Sequence, residues 1–346
     1  MSPTPLSLLC ALLLTLPLAI VFTINTDTTT TLLPPLLTTI SPPPKLKKDV
    51  YAPRKVAFMF LTTGPLPLAP LWELYFNSTR RKNLYNIYIH ADPSLRHDLI
   101  FNGVFTNRTI PSKPTRRHTP SLAAAHRRLL AHALLHDPLN YHFALLSPTC
   151  IPLHSFDFTY KTLAKSNKSF IEILENEPSA WGRWAARGEK VMLPEVEFKD
   201  FRIGSQFSIL TRQHAMVAVN DTRLWSKFKL PCLHEKILTC YPEENYLPTL
   251  MSMVDKNGCV PATLTYVDWK GGGHDGHPHM FSRSEVGTDL IRTIRGRKPR
   301  YGNEEANGSD SSMVTRRNDP FLFARKFDSN TLGALMDIAE DVILKD

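Results

Sequence analysis

The stretch "VAFMFLTTG", Val56–Gly64, is an uninterrupted apolar run that ends in a turn signal. A run of this length, bounded by glycine, is typical of a strand buried on both faces of a sheet. Similar runs recur along the chain at Leu84–Asp92, Tyr141–Ser147, Ser169–Leu174 and Ser205–Arg212. The sequence therefore predicts several buried strands.

Helical patterns separate these strands. "SLAAAHRRLLAHALLH", Ser121–His136, has leucines at helical spacing and a serine at its expected N-cap, and "QHAMVAV" follows the last strand. The alternation predicts an α/β fold with a largely parallel sheet covered on both faces. Ligands of such folds bind beyond the carboxyl ends of the strands, where we expect His90, Asp92 and Ser147.

The amino end has a different composition. "LSLLCALLLTLPLAIVFTI", Leu6–Ile24, has no charged residue and at ~1.5 Å per residue would span the ~30 Å core of a bilayer. We favour an uncleaved anchor over a cleaved secretory signal, because no small-x-small site ends the run. The predicted organisation is a cytoplasmic tip and signal-anchor transmembrane helix (1–24), a Thr/Pro-rich stem (25–53) and one lumenal domain (54–346).

Sequons and cysteines also favour a lumenal location. N-x-S/T sequons occur at Asn77, Asn107, Asn167, Asn220 and Asn307. Outside the leader the cysteines are Cys150, Cys232, Cys240 and Cys259. They predict two disulfides, first of all between Cys232 and Cys240, which are close in sequence; four buried thiols are the alternative.

The formal net charge of +9 favours anionic ligands such as phosphates, nucleotides or acidic glycans. Nucleic acid is disfavoured, because the basic residues are dispersed and the leader directs the chain away from it.

The stretch "CYPEENYLPTL", Cys240–Leu250, sets two carboxylates side by side. Pro242 suits the first position of a helix, so Glu243 and Glu244 would lie in its first turn. There the helix dipole stabilises each carboxylate by about 0.3–1 kcal/mol, which is a sufficient structural reason for both. Alternatively, one of them accepts a proton from a bound hydroxyl. The residues alone leave both interpretations open.

Two later segments are candidates for ligand binding. "FARKFD", Phe323–Asp328, places Lys326 between aromatic residues, where it is either solvated surface or a partner for a diphosphate. "VDWKGGGHDGHPHMF" contains His274, His277 and His279 with Asp275, but no second cluster of ligands accompanies them, so we do not expect a metal site. The chain also has no Asp-x-Asp, so a sugar-nucleotide transferase built from it would work without a metal ion.

Seven segments in order across residues 55–328 resemble one family: "KVAFMFLTTGPLPLAPLWELYF", "YNIYIHADP", "FALLSPTCIPL", "FRIGSQFSILTR", "CYPEENYLPT", "TYVDWKGGGHDGHP" and "FLFARKFD". They are similar to the core-2/I-branching β-1,6-N-acetylglucosaminyltransferases, glycosyltransferase family 14, in particular its plant-type branch. The resemblance implies a GT-A-like (Rossmann-like) glycosyltransferase fold in a single catalytic domain of a type II Golgi membrane protein. It also implies an inverting, metal-independent enzyme without a cofactor, which uses a UDP-sugar as co-substrate and a cell-wall polysaccharide or glycoprotein glycan as acceptor.

The resemblance also implies roles for individual residues. Glu244 matches the catalytic base, and Lys326 the lysine on the diphosphate. Its partner arginine matches Arg292, or else Arg295. Uridine is expected near Ile89, His90 and Asp92, and the acceptor near Trp269 and Glu243.

At one position this chain differs from its relatives. His126 replaces a carboxylate that is expected to contact uracil, and its imidazole can still hydrogen-bond a uracil edge. The donor sugar (N-acetylglucosamine, glucuronic acid or xylose) stays open. The alternative function is that of a catalytically silent relative, a scaffold for a glycan or a partner transferase.

Overall fold

The first predicted strand lies inside a six-stranded sheet with the order β2-β1-β3-β6-β5-β7 in the computed structural model. The structure describes residues 53–79, 81–94, 101–233, 240–270, 277–303 and 317–346. The predicted anchor, nearly all of the stem, His274, Asp275 and Asn307 lie outside these residues. The strands are β1 (Lys55–Thr62), β2 (Tyr85–Ala91), β3 (Asn140–Leu146), β4 (Ile151–Pro152), β5 (Ser169–Phe170), β6 (Ile209–Thr211), β7 (Cys259–Val260), β8 (Thr265–Val267) and β9 (Phe323–Arg325).

The sheet is parallel at its core. Strands β1, β2 and β3 run parallel, and β5 is parallel to β7, whereas β6 is antiparallel to both of its neighbours. A second, three-stranded sheet has the order β4-β9-β8. The fold is therefore mixed α/β with a parallel core, as expected for a GT-A-like enzyme. The predicted strands at Ser169–Leu174 and Ser205–Arg212 shorten to two and three residues.

Helices connect and cover these strands. They are α1 (Ala69–Asn77), α2 (Pro120–His136), α3 (Phe156–Ala164), α4 (Ala180–Ala185), α5 (Arg212–Asn220), α6 (Trp225–Phe228), α7 (Pro242–Asp255), α8 (Thr288–Arg295) and α9 (Leu332–Asp337). Shorter helical turns occupy Lys82–Leu84, Gly103–Phe105, Phe198–Asp200, Lys256–Gly258, Arg283–Glu285, Ser329–Thr331 and Ala339–Ile343. In the described part of the chain, none of these helices meets the length and hydropathy that a bilayer crossing requires.

An aromatic core fixes the sheet to its covering helices. Phe58 on β1 meets the rings of Trp72 and Phe76 on α1, and Phe323 on β9 packs against Phe58 and Trp72. The Trp72 indole N–H donates to the carbonyl of Cys150, 3.0 Å away. These contacts join the small sheet to the carboxyl ends of the large one. All described residues belong to one compact unit, Asp49–Asp346; the predicted limits of tip, stem and lumenal domain stay predictions.

Candidate active site

Helix α7 begins at Pro242, as the sequence predicted, and carries Glu243 and Glu244 in its first turn. The residue before it, Tyr241, adopts a left-handed conformation with φ 32°. A non-glycine residue there costs of order 1 kcal/mol or more, and such strain is concentrated at functional sites. The ring of Tyr241 meets the ring of His118 edge-on, with centroids 4.7 Å apart, and His118 has a positive φ as well.

Glu243 is almost fully enclosed, with 9% of its surface exposed. The amide of His118 donates to its Oε1 at 3.3 Å, while Oε2 is buried with no hydrogen-bond partner in the described part of the chain. Burial, with the neighbouring Glu244 adding to it, raises the pKa of Glu243 to about 7. This carboxyl group is therefore partly protonated near neutral pH.

Glu244 is more accessible than its neighbour. Its Oε2 forms an ion pair with Nη1 of Arg183 on α4, 2.7 Å away, and 29% of its side chain stays exposed. The Arg183 guanidinium also lies over the ring of Tyr241, 4.5 Å from the centroid. Arg183 therefore links α4 to the start of α7 and holds the Glu244 carboxylate in a fixed place that solvent can reach.

The "GSQ" segment closes one side of this site. The amide of Gly204 donates to the carbonyl of Glu244 at 2.9 Å, and a Cβ at position 204 would collide with the carbonyl of Glu172. Only glycine fits there, so the role of Gly204 in this segment is structural. Burial raises the pKa of Glu172 to about 7, and the charge of Glu244 contributes to the increase.

Strand β9 brings the "FARKFD" segment to the same region. Arg325 lies over the ring of Phe207, just after the "GSQ" segment, with Cζ 4.4 Å from the centroid. Burial lowers the pKa of Arg325, Arg117 lowers it further, and Cys150 and Glu244 oppose them. Arg325 and Glu244 are thus within electrostatic range of each other. The next residue, Lys326, is 9% exposed, and its carbonyl accepts from the amide of Phe281 at 2.8 Å.

The carboxyl ends of the parallel strands lie next to this segment. The amide of Phe327 donates to the carbonyl of Thr149, in the turn that follows β3. At the end of β2, Asp92 accepts from the amides of Ser94 and Thr115 at 2.8 and 2.9 Å. Burial opposes the ionisation of Asp92, but these hydrogen bonds outweigh it and lower its pKa.

His90 and Ile89 are fully buried on β2. His90 Nε2 accepts from the amide of Lys113 at 3.3 Å and lies 3.5 Å from Arg128 Nη1. Burial, followed by the charge of Arg128, lowers the pKa of His90 to about 4, so the ring is neutral. Ile89 exchanges main-chain hydrogen bonds with the 108–110 segment, which covers this strand.

His126 lies on α2 and is 4% exposed. Burial alone lowers its pKa to about 4, and its Nε2 has no hydrogen-bond partner within the described ranges. A neutral, buried imidazole with one unused nitrogen retains the capacity to bind a polar ligand edge.

Trp269 is 61% exposed and follows strand β8, which pairs with β9. Next to Trp269, the carbonyl of Asp268 accepts from the amide of His279 at 2.8 Å. Burial and Arg117 lower the pKa of His118, and His277 also contributes, which places His277 within electrostatic range of His118. His118 in turn donates its amide to Glu243, so the chain on the far side of Trp269 comes near that carboxylate at His277.

Of the two candidate arginines of α8, Arg295 is bonded to main-chain carbonyls. The Arg295 guanidinium donates to the carbonyls of Leu153, Ile343 and Lys345 at 2.6, 2.9 and 3.2 Å. It therefore ties α8 to the carboxyl-terminal segment instead of facing the carboxylates. Arg292 is exposed on the same helix. Arg183 is the arginine that contacts Glu244, Arg325 directly precedes Lys326, and Arg117 is within electrostatic range of Arg325.

The cysteines form one disulfide, not two. Cys232 and Cys240 are bonded, with Cα atoms 6.1 Å apart, immediately before Tyr241. Cys150 and Cys259 are buried free thiols, so the prediction of a second bridge was wrong. Cys150 follows β3 and Cys259 begins β7, three strands away across the sheet; at ~4.8 Å per strand that is about 14 Å, too far for a disulfide.

Within the described residues, no group of three metal-ligating side chains is present. His279 Nε2 lies 2.7 Å from Glu285 Oε1, and Glu285 also forms the capping box of the turn Arg283–Glu285 with Ser282. A separate cavity of about 340 Å³ is lined in part by Lys168, Glu175 and Lys256. It lies away from the carboxylates, and Glu175 and Lys256 neutralise each other at 2.9 Å.

Sequence reasoning missed three residues that build this site, Glu172, Arg183 and His118, and assigned no role to Arg325. Each acts through a partner far away in the chain, as Arg183 does with Glu244, 61 positions later. The one usable signal was the position of Arg325, which directly precedes Lys326.

Comparison with known proteins supports an enzyme of the expected kind. The chain is 28% identical over 313 residues to the protein named Glycosyltransferase BC10 of Oryza sativa subsp. japonica, covering 82% of this chain and 76% of the rice protein. A solved structure, that of A197 from STIV, matches 51% of this chain and 79% of the A197 chain at 12% identity. The TM-score of 0.22 is too low to indicate a shared fold. Residues 56–295 match the family described as Core-2/I-Branching enzyme. The chain therefore belongs to the Core-2/I-branching enzyme family and is a glycosyltransferase.

Proposed function

We propose that this glycosyltransferase moves a sugar from a UDP-sugar to a glycan hydroxyl by direct displacement with inversion. In this mechanism, Glu244 removes the proton of the acceptor hydroxyl while its oxygen attacks the anomeric carbon. The single observation that carries the proposal is the position of Glu244. It is accessible, held by Arg183, and within electrostatic range of Arg325, the neighbour of Lys326.

Exposure favours Glu244 over Glu243 as the base. A base must come within hydrogen-bond reach of the hydroxyl, and the enclosed Glu243 has one oxygen turned to the amide of His118. Glu243, with a pKa raised to about 7, has an indirect effect on Glu244 instead. When it is protonated it adds no second negative charge beside Glu244.

Cations stabilise the leaving diphosphate. Lys326 is the proposed direct contact, and Arg325 and Arg117 add positive potential around it. Fixed cations in a partly enclosed site stabilise charge as it develops, without reorganisation during the reaction. We place this set ahead of Arg295, whose guanidinium is bonded to main-chain carbonyls, while Arg292 stays a candidate partner. Because fixed side chains supply the charge, we propose that the reaction needs no divalent metal ion.

The donor is proposed to lie at the carboxyl ends of β1–β3, with its base near Ile89, His90 and Asp92. Buried polar groups with unused capacity support this placement: Nδ1 of His90 and Nε2 of His126 both lack a partner among the described residues. A neutral imidazole can donate to a uracil carbonyl or accept from its N–H, according to its tautomer. The acceptor approaches from the side of Trp269 and Glu243.

We further propose that the domain works in the Golgi lumen behind its amino-terminal segment. The Cys232–Cys240 disulfide supports an oxidising compartment. The sequon asparagines of the described residues, namely Asn77, Asn107, Asn167 and Asn220, are all exposed. A mass decrease on treatment with an N-glycosidase would test this part; a secreted form without N-glycans would contradict it.

UDP release tests the reaction. The lumenal domain is incubated with UDP-N-acetylglucosamine, UDP-xylose and UDP-glucuronic acid in the presence of plant wall oligosaccharides, with and without EDTA. We expect release from one donor that EDTA leaves unchanged, and loss of release in Glu244→Gln. No release from any donor would contradict the proposal, and so would activity that EDTA removes and a divalent ion restores.

A further inference from the structure

Trp181 of helix α4 and Phe198 of the turn Phe198–Asp200 form an exposed aromatic pair on the surface. Trp181 is 52% exposed and Phe198 is 40% exposed, and their ring centroids are 5.1 Å apart, nearly perpendicular. Solvent-exposed large aromatic groups in contact with each other are unusual on a soluble domain and mark a binding surface. We call Trp181 and Phe198 the aromatic platform.

The platform is rigidly supported from below. Trp184 is 4% exposed, and its ring centroid lies 5.1 Å from Trp181 and 5.9 Å from Phe198. The Trp184 indole N–H donates to the carbonyl of Val196 at 3.0 Å, which fixes the segment between α4 and Phe198. A ligand that stacks on the platform therefore meets preformed rings and loses little entropy in ordering them.

The platform is connected to the proposed base through a single short helix. Arg183, which holds Glu244, lies between Trp181 and Trp184 on α4. Residues two apart on a helix point to different sides, so the platform lies across α4 from Arg183, about one helix width (~10 Å) from the ion pair. That distance is too long for the reacting sugar itself, but it suits another unit of the same glycan.

The charges around the platform favour an uncharged ligand. Glu197 and Lys199, on either side of Phe198, pair with each other at 2.8 Å, and Asp200 follows them. The guanidinium of Arg202 also lies here, because it donates to the carbonyl of Lys199 at 2.6 Å, and it pairs with Glu175 at 3.3 Å. The charges of this region therefore largely pair with each other and give an acidic glycan no net attraction, whereas the apolar face of a neutral sugar ring can lie flat on an indole.

We propose that Trp181 and Phe198 bind a neutral sugar unit of the acceptor, beyond the unit that reacts, so that the acceptor is an uncharged chain of several sugars. This inference rests on the proposed function. It adds a second aromatic contact to that of Trp269, which is the other tryptophan that the structure leaves more than half exposed. The acceptor chain then extends from the carboxylates across α4.

A binding assay on neutral oligosaccharides of graded length tests the proposal. Xylo- and cello-oligosaccharides from monosaccharide to hexasaccharide are immobilised, with oligogalacturonides as the acidic comparison. We expect wild type to retain the longer neutral chains, Trp181→Ala to bind them about 5- to 10-fold more weakly, and Trp181→Phe to recover most of the affinity. The control is Leu135→Ala, an exposed apolar residue about 22 Å along α2 from Pro120, which should bind as wild type does.

Several outcomes would overturn the proposal. It is wrong if wild type retains none of the neutral chains, if it prefers the acidic ones, or if Trp181→Ala binds the longer chains as wild type does. It is also wrong if Trp181→Ala leaves glycan binding unchanged and alters only the self-association measured by sedimentation, because a second copy of the chain would then cover the platform. UDP release measured on the same samples separates the two hypotheses: a platform that binds glycans in a protein that releases no UDP would contradict the proposed function alone.

Discussion

Glutamine in place of Glu243 should make the protein more stable, and increasingly so as the pH rises. Glu243 is 9% exposed, and burial raises its pKa from 4.5 to about 7. Between these values the folded protein binds more protons than the unfolded chain, so the free energy of unfolding of wild type falls as the pH rises through this window. Glutamine has nearly the same shape, keeps an oxygen for the amide of His118, and does not titrate.

The interval from 4.5 to about 7, at about 1.4 kcal/mol per pH unit, corresponds to about 3 kcal/mol. The variant should therefore match wild type near pH 4 and exceed it by about 3 kcal/mol at pH 8. Glu172, whose pKa is raised as well, titrates in both proteins, so its effect largely cancels in the difference.

Urea unfolding followed by tryptophan fluorescence, with the disulfide intact, measures this difference from pH 4 to pH 8. Glu197→Gln is the matched control, because Glu197 is exposed and paired only at the surface with Lys199; its effect should stay within about 0.5 kcal/mol. Parallel pH profiles for wild type and Glu243→Gln would refute the reasoning. So would a stability gain that shrinks as the pH rises.

Three further outcomes follow from the site. Gly204→Ala should destabilise the protein by at least about 2 kcal/mol in urea unfolding, because its Cβ would meet the carbonyl of Glu172; a neutral effect would contradict that contact. Cys232→Ser should cost about 2–3 kcal/mol under oxidising conditions and nothing in reductant, because the bond to Cys240 closes a short loop. Lys326→Gln should lower kcat for UDP release about 100-fold or more, whereas an effect on KM alone would indicate simple substrate binding.

The regular part of the fold could be predicted from the sequence. Strands β1, β2 and β3 are long apolar runs, and the start of α7 is marked by Pro242 and two acidic residues. Local patterns of this kind carry enough information because burial and capping act over a few neighbouring residues. The Cys232–Cys240 bridge followed from proximity for the same reason.

The remaining features depend on contacts between distant segments. Strand β9 has three residues, and its position is set by pairing with β4 and β8. In the sequence, Arg183 and Arg295 both look like ordinary surface arginines. In the structure, Arg183 pairs with Glu244, whereas Arg295 donates to three carbonyls. No periodicity distinguishes them, because the difference arises only after the chain has folded.

The accessible carboxylate of α7 and its inaccessible neighbour provide the sharpest comparison. Turnover by Glu244→Gln and Glu243→Gln is measured at saturating donor and acceptor, with UDP affinity determined by calorimetry on the same proteins. If Glu244 is the base, its glutamine variant loses about 100-fold or more in kcat and binds UDP as tightly as wild type does, while Glu243→Gln keeps substantial turnover. Near-normal turnover in Glu244→Gln, with activity abolished in Glu243→Gln, would contradict the mechanism.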